Sequence, residues 1–282
     1  MSSIGYLGPK GTFTNIAVSQ AFPNHELEPF STIPSCMDAV KHGDISYAVL
    51  PWENAIEGSV NLTIDYLVNQ RLTIVGEIIV PIRQHLMVHP QNKVCWEDLD
   101  AVHSHSHAIS QCHQYLYQHL PQVEFSYKSS TSAAAKYVKE NPIQKIAAIG
   151  NELAASEYGL EIIEHDIHDF NNNHTRFVIL SKEATELDIK YSNYLGDRTT
   201  LMIMLPTDHY GALHQVLSAF AWRKLNLSKI ESRPMKTGLG NYFFIIDVEM
   251  KYDQVLIPGA ITEIEALGCN VTTLGSYPYF GK

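Results

Sequence analysis

Basic side chains are scarce in this sequence. Its 282 residues carry 20 Lys and Arg against 30 Asp and Glu, a formal charge of −10 that disfavours non-specific attraction to phosphate backbones or anionic lipid. Nucleic acid and membrane surfaces are therefore poor first partners. Cysteine is sparse too: Cys36, Cys95, Cys112 and Cys269 stand far apart without CxxC pairing, which excludes a disulfide-stapled secreted domain and fits reduced thiols. No run of about 18 apolar residues is present, and Met1-Ser2-Ser3-Ile4-Gly5-Tyr6-Leu7-Gly8 lacks the basic and apolar stretches of a secretion signal. The expectation is a soluble, cytoplasmic protein. A GxSxG elbow and a cysteine in a nucleophile context are also missing, which removes the common hydrolase classes. What remains is an ordinary globular composition, 45% hydrophobic and 10% aromatic, at a length that predicts about two domains.

Short apolar runs alternate with helical patterns through the first half. Ile4–Leu7 precedes a helix at Ala17–Phe22, and a helix at Cys36–Lys41 precedes the run Tyr47–Leu50. A second set places Ala101-Val102 before His107–Leu120, Val123–Tyr127 before Thr131–Val138, and Ile146–Ile149 before Asn151–Tyr158. This rhythm predicts α/β architecture with largely parallel strands. Leu72–Val88, broken by Pro81, reads as two strands running from one sheet into another, so two lobes with a cleft between them are expected. Thr175–Leu180 reads as a closing strand, and the polar stretch Ser181–Asp197 as a linker. The remainder parses as strand Thr199–Leu205, helix Gly211–Lys224, strands Asn226–Arg233 and Tyr242–Met250, helix Gln254–Leu267 and strand Asn270–Tyr277, the ferredoxin-like βαββαβ order. Pro258 fits that last helix only in its first turn.

Polar residues gather where strands end. Gly8-Pro9-Lys10-Gly11-Thr12-Phe13-Thr14 follows the first strand, where backbone N–H groups at a helix start can hold an anion, although a plain tight turn explains the same residues. Asn54 and Ser59, after the run ending at Leu50, suit a small polar ligand or a helix cap. His103, His105 and His107 would share one face of a strand, but no carboxylate or cysteine stands at ligand spacing, so they are read as solvated loop histidines and no metal is expected. Arg176 could bind a carboxylate as a fork. Alternation along a regular strand nevertheless sets Thr175 and Phe177 on one face and Arg176 on the other.

Taken together and in order, several segments resemble the prephenate dehydratase family: Gly8-Pro9-Lys10-Gly11-Thr12-Phe13, Pro51-Trp52-Glu53-Asn54 with Gly58-Ser59, Ser104-His105 through Gln111-Cys112, Ser130-Thr131-Ser132-Ala133-Ala134, Ala148-Ile149-Gly150, and Asn172-Asn173 before Thr175-Arg176-Phe177. The C-terminal stretch resembles an ACT domain through Gly211-Ala212-Leu213 and Glu231-Ser232-Arg233-Pro234. Two departures are visible: Ser106-His107 where the family usually has Pro-Gln, and Phe170-Asn171 in a loop often written Asp-Asn-Pro-Asn-Asn.

The resemblance implies a type II periplasmic-binding-protein-like catalytic region at residues 1–181, with lobes at about 1–80 plus 167–181 and at 81–166. A linker at 182–197 and an ACT regulatory domain at 198–282 follow. It implies conversion of prephenate to phenylpyruvate, carbon dioxide and water without a cofactor, in the form lacking a fused chorismate mutase. Thr175 would be the catalytic hydroxyl, and Thr12, Asn54, Ser59, Ser104, Gln111, Thr131, Ser132, Asn173, Arg176 and Phe177 would line the substrate site. Gly211, Ala212, Leu213, Asn226, Leu227, Glu231, Ser232, Arg233 and Pro234 would bind L-phenylalanine as allosteric effector between ACT units of a homo-oligomer. The alternatives are arogenate dehydratase, which works on the amino analogue, and a non-catalytic amino-acid sensor.

Overall fold

The computed structural model describes residues 3–70, 72–185, 187, 193–206, 210–235 and 242–281, without the side chains of 94–97. Its strands are β1 (Ile4–Leu7), β2 (Leu27–Phe30), β3 (Tyr47–Asn54), β4 (Gly58–Ser59), β5 (Thr73–Pro81), β6 (His85–Val88), β7 (Ala101–Ser104), β8 (Glu124–Tyr127), β9 (Ile146–Gly150), β10 (Glu161–Glu164), β11 (His174–Ser181), β12 (Tyr194–Met204), β13 (Leu227–Pro234), β14 (Tyr242–Val248) and β15 (Asn270–Gly281). The helices are α1 (Phe13–Ala21), α2 (Ile33–His42), α3 (Asn61–Leu67), α4 (Ser106–Ser110), α5 (His113–His119), α6 (Thr131–Glu140), α7 (Glu152–Tyr158), α8 (Ala212–Ala221) and α9 (Leu256–Ala266), with a 3-10 turn at Pro90–Asp98. Among the described residues no helix is long and apolar enough to cross a membrane.

Local chemistry sets the helix starts. Thr12, Thr32, Ser130 and Asn151 each turn a side-chain oxygen onto an N–H of the first turn, of α1, α2, α6 and α7 respectively. Gly43 and Gly159 close α2 and α7 in the left-handed region, where a Cβ would be strained. At α9 the Asp253 carboxylate accepts from the N–H groups of Val255, Leu256 and Ile257, and Pro258 falls in the first turn, where its missing N–H costs nothing. The helix expected over His107–Leu120 is instead broken into α4 and α5 around Gln111 and Cys112.

Two sheets carry the fold. A ten-stranded sheet has the order β13-β14-β12-β15-β5-β11-β3-β1-β2, with β4 beside β3, and a five-stranded sheet has the order β10-β6-β9-β7-β8. Both are mixed, which corrects the expectation of largely parallel strands. The chain leaves the large sheet along β5 and re-enters along β11, so these neighbours must run antiparallel, and β11 also opposes β3. The C-terminal elements β12, α8, β13, β14, α9 and β15 keep the βαββαβ order. Their strands join the large sheet through the parallel pairing of Tyr279, Phe280 and Gly281 in β15 with Glu77, Ile78 and Ile79 in β5. One core accordingly holds Trp52, Ile74 and Leu180 together with Met202, Phe243, Ile245 and Tyr277, while α8 and α9 cover the other face of the C-terminal strands. Of the expected linker, residues 186 and 188–192 lie outside the described residues, and Tyr194–Asp197 belong to β12.

Candidate active site

A cleft of about 430 Å3 opens between the two sheets. From the large-sheet side it is lined by Thr12, Phe13 and Thr14 at the start of α1, by Asn54 and Ser59 around the β3–β4 turn, and by Thr175 and Phe177 of β11. The small-sheet side contributes His105, His107 and Gln111 around α4 and Ser129, Ser130 and Thr131 at the start of α6. The order of polar residues at strand ends thus becomes a set of helix starts and loop amides around one space.

Thr175 and Asn54 meet because β11 and β3 are neighbours in which those two residues are partners. The register then slips, with Arg176 opposite Glu53 but Phe177 opposite Pro51, so Trp52 is the extra residue of a bulge. Asn54 Oδ1 accepts from the N–H groups of Ile56 and Glu57, both at 3.0 Å, which fixes the amide so that Nδ2 faces β11. Nδ2 donates to Thr175 Oγ1 at 2.8 Å and to Asn173 Oδ1 at 2.9 Å. Asn173 Nδ2 donates in turn to Gln111 Oε1 at 3.2 Å, which carries the chain of amides from one sheet to the other. Thr175 therefore accepts a hydrogen bond while, among the described residues, no protein acceptor takes its own proton.

Arg176 does not enter the cleft. Alternation turns it to the opposite face, where its guanidinium holds Glu77 through Nε at 2.9 Å and Nη2 at 2.7 Å, Glu53 at 2.6 Å and Asp247 at 2.7 Å. Arg198 also pairs with Glu77. Burial alone would raise the carboxyl of the fully buried Glu77, but Arg176 and Arg198 outweigh it and hold the group below its ordinary range. Ser104 and Ser132 are absent from the lining as well. Ser104 is fully buried and donates to Ile149 O at 2.7 Å, and Ser132 donates to Lys10 O. Both spend their hydroxyls on backbone carbonyls, a destination that adjacency in sequence does not reveal. Asn173, 2% exposed, acts through Asn54 and Gln111.

Other residues of the cleft were not singled out from the sequence. Gln84 lines it with a buried Oε1 that has no partner among the described residues. Glu57 and His107 approach to 3.6 Å across the cleft, and His107 meets the His105 ring edge-on at 4.8 Å. Burial and then the His107 charge keep His105 below its ordinary value despite Glu57, so its imidazole is neutral at neutral pH. The reading of solvated loop histidines holds only in part: His107 is exposed but lies in α4, His105 caps that helix, and His103 is buried against Tyr137.

His85, Glu152 and His165 place ligand atoms within 4.8 Å of one another. His85 Nδ1, however, accepts from the Asp166 N–H at 3.0 Å, so the neutral ring keeps its proton on Nε2 and offers no lone pair there to an ion. Near the cleft, Gly11 adopts a φ of 79°, and a Cβ there would stand 3.1 Å from Ala154 Cα, where the loop docks on the start of α7. Asn151 Nδ2 donates to Gly11 O at 3.0 Å in that contact.

Fold and site together define an α/β cleft enzyme of mixed sheets, in which amides present a hydroxyl and helix starts face the cleft. The chain belongs to the prephenate dehydratase family, whose model matches residues 4–185. It is 56% identical over 279 residues to a prephenate dehydratase of Bacillus subtilis (strain 168), covering 97% of this chain and 98% of that one. Among solved structures, a prephenate dehydratase from Arthrobacter aurescens in complex with L-Phe superposes with a TM-score of 0.86 at 33% identity, covering 98% of this chain and 89% of that one. The prephenate dehydratase of Staphylococcus aureus subsp. aureus Mu50 gives 0.82 at 31% identity, covering 98% and 99%.

Proposed function

We propose that this protein is a prephenate dehydratase that forms phenylpyruvate, carbon dioxide and water. The observation that carries the reading is the Thr175 hydroxyl, fixed as an acceptor by Asn54 and left with a free proton at the wall of the cleft. Prephenate is a dianion, and among the described residues no lysine or arginine lines the cleft around Thr175. Its carboxylates are met instead by the first-turn N–H groups of α1 and α6, which lack intrahelical partners and carry the positive end of the helix dipole. Lys10 and Lys136 line the adjoining cavity and supply the nearby positive charge.

In the reaction the bond from the ring to its carboxylate breaks, the electron pair enters the ring, and the ring hydroxyl leaves as water with a proton from Thr175. Water returns one proton to Thr175, so each turnover consumes one proton and the ring becomes aromatic. Positioning and proton donation carry the catalysis. Asn54 steadies the developing negative charge on Oγ1.

The unit from residue 198 onward is read as an ACT domain that lets L-phenylalanine lower activity, as its presence in the Arthrobacter aurescens structure supports. Gly211, Ala212 and Leu213 start α8, whereas Asn226 and Leu227 open β13 and Glu231, Ser232, Arg233 and Pro234 close it. At about 3.3 Å per residue the two ends of β13 stand roughly 23 Å apart, too far for one amino acid. Among the described residues β13 pairs with β14 alone, which leaves its other edge free. Antiparallel pairing of two copies along that edge would set one end beside the other, which supports an effector site between units of a homo-oligomer.

The test is turnover of prephenate to phenylpyruvate by the purified chain and by Thr175→Ala and Thr175→Ser. Loss of kcat by about a hundredfold or more in the alanine variant, with serine within about tenfold of the parent, is expected of a general acid. Wild-type turnover in folded Thr175→Ala, or activity on arogenate alone, would overturn the reading.

A further inference from the structure

Strand β13 presents two faces to different surroundings. Ile230, Ser232 and Pro234 are exposed, while Lys229, Glu231 and Arg233 turn inward onto the part of the large sheet that bears the cleft. Arg233 binds Asn61 Oδ1 at 2.6 Å and Asp65 Oδ1 at 2.8 Å, and Glu231 receives the Ser59 hydroxyl. The Lys229 side chain is 5% exposed. Its ammonium donates to Glu53 Oε1 at 2.8 Å and to Ser59 Oγ, and lies 3.0 Å from Glu231.

Glu53 and Ser59 are not arbitrary partners. They stand opposite one another in the β3–β4 hairpin, and the next pair toward its turn is Asn54 with Gly58. Glu53 thus precedes the amide that orients Thr175, and its other oxygen is held by Arg176, the residue after Thr175. Ser59 itself lines the cleft. A single buried ammonium therefore pins both strands of the hairpin that carries Asn54, from a strand belonging to the C-terminal unit.

We propose that Lys229 is a positioning residue for the dehydration. It holds the hairpin in the register that aims Asn54 at Thr175, and it is a contact through which the state of the C-terminal unit reaches the cleft. The second statement rests on the effector reading above; the first does not. Without the ammonium, Glu231 and the Oε1 side of Glu53 face each other across Ser59 with no cation between them; Arg176 still holds the other oxygen of Glu53, but the partly buried Glu231 loses its cation, and removing one partner of such a pair disturbs the other. A hairpin displaced by an ångström suffices to cost a large factor in rate.

The experiment uses the full chain with Lys229→Met, Glu53→Gln and the double variant, each checked for a cooperative melt, together with Lys229→Arg, which restores the charge. Expected is a fall in kcat of about tenfold or more in each single variant with KM within about threefold, a double variant no worse than the poorer single, and partial rescue by arginine. Calorimetry should show L-phenylalanine binding Lys229→Met within about threefold of the parent, while the inhibition seen in the parent is lost. Wild-type kcat in folded Lys229→Met, or losses that multiply in the double variant, overturns the positioning role. Should Lys229→Met not fold, Lys229→Arg decides it, because a merely structural lysine leaves kcat per folded molecule unchanged in that variant. Equal inhibition of parent and Lys229→Met overturns the coupling and leaves the effector reading standing. A parent that neither binds nor responds to L-phenylalanine overturns the effector reading and the coupling, and the turnover cycle still decides positioning.

Discussion

The Asn54 amide works with both ends. Its oxygen takes two backbone N–H groups that shape the turn into β4, and its nitrogen supplies the hydrogen bond to Thr175. Asn54→Asp separates these tasks, since a carboxylate keeps the turn but replaces the donor with an acceptor that draws the Thr175 proton away from the substrate. The expected result is a kcat lower by about a hundredfold with a melting temperature close to the parent's, read from steady-state kinetics beside a thermal melt. Unchanged kcat would show that the amide donor is dispensable. Thr175 could be singled out in the sequence only through its resemblance to a family motif, because a threonine in a strand carries no spacing signal of its own. The two-residue period set Arg176 on the face opposite Thr175, and the structure follows it; the substrate contact that the resemblance implied for Arg176 is the reading that fails. Lys229 and Gln84 gave no such signal: Lys229 meets Glu53 176 residues away, and the Gln84 side-chain oxygen has no partner among the described residues.

At the level of elements, the contact between β15 and β5 decides how the C-terminal unit sits. Gly275 allows it, because a Cβ there would stand 2.1 Å from Ile74 O, a backbone atom that cannot swing aside. Gly275→Ala should therefore force the strands apart and cost about 1–3 kcal/mol, measurable as a lower midpoint in denaturant titration. A midpoint equal to the parent's would mean that β15 has slack that the packing does not show. Most strands and helices were legible from their apolar runs and helical patterns, including β5 and β6 on either side of the passage between sheets. The short β2, β4, β10 and α3 were missed. Their stability comes from neighbours, as with β4, which exists only as the partner of Glu53 and Asn54. The expected helix splits into α4 and α5 at Cys112, whose φ of −116° leaves helical geometry, while Gln111 closes α4 with its side-chain amide turned to Asn173.

Across the whole molecule, buried charge makes stability depend on pH in two stages. Burial holds His85 below its ordinary value of 6.5 although Asp166 and Glu152 oppose it, and burial with Lys128 does the same to His103. An unfolded chain regains the ordinary value, so it binds protons that the native histidines refuse; stability is complete above about pH 6.5 and declines as pH falls below it. Glu53 and Glu77, held below 4.5 by their cations against the effect of burial, add stability that is present above that value and lost as pH falls further. Thermal melts from about pH 8 to pH 4 should show a first decline below about 6.5 and a steeper one below about 4.5, and a midpoint flat down to pH 5 would contradict the histidine contribution. By itself the sequence determined the α/β class, the βαββαβ order of the C-terminal elements, the caps of the longer helices and the family, because apolar period, cap chemistry and ordered motifs are local and repeat along the chain. The tertiary structure alone decided that the C-terminal strands extend the sheet of the cleft, that Ser104 and Ser132 turn away from it, and that Lys229 meets Ser59 at its wall. Those outcomes depend on which strands become neighbours, and strand pairing is settled by burial and charge satisfaction over the whole chain.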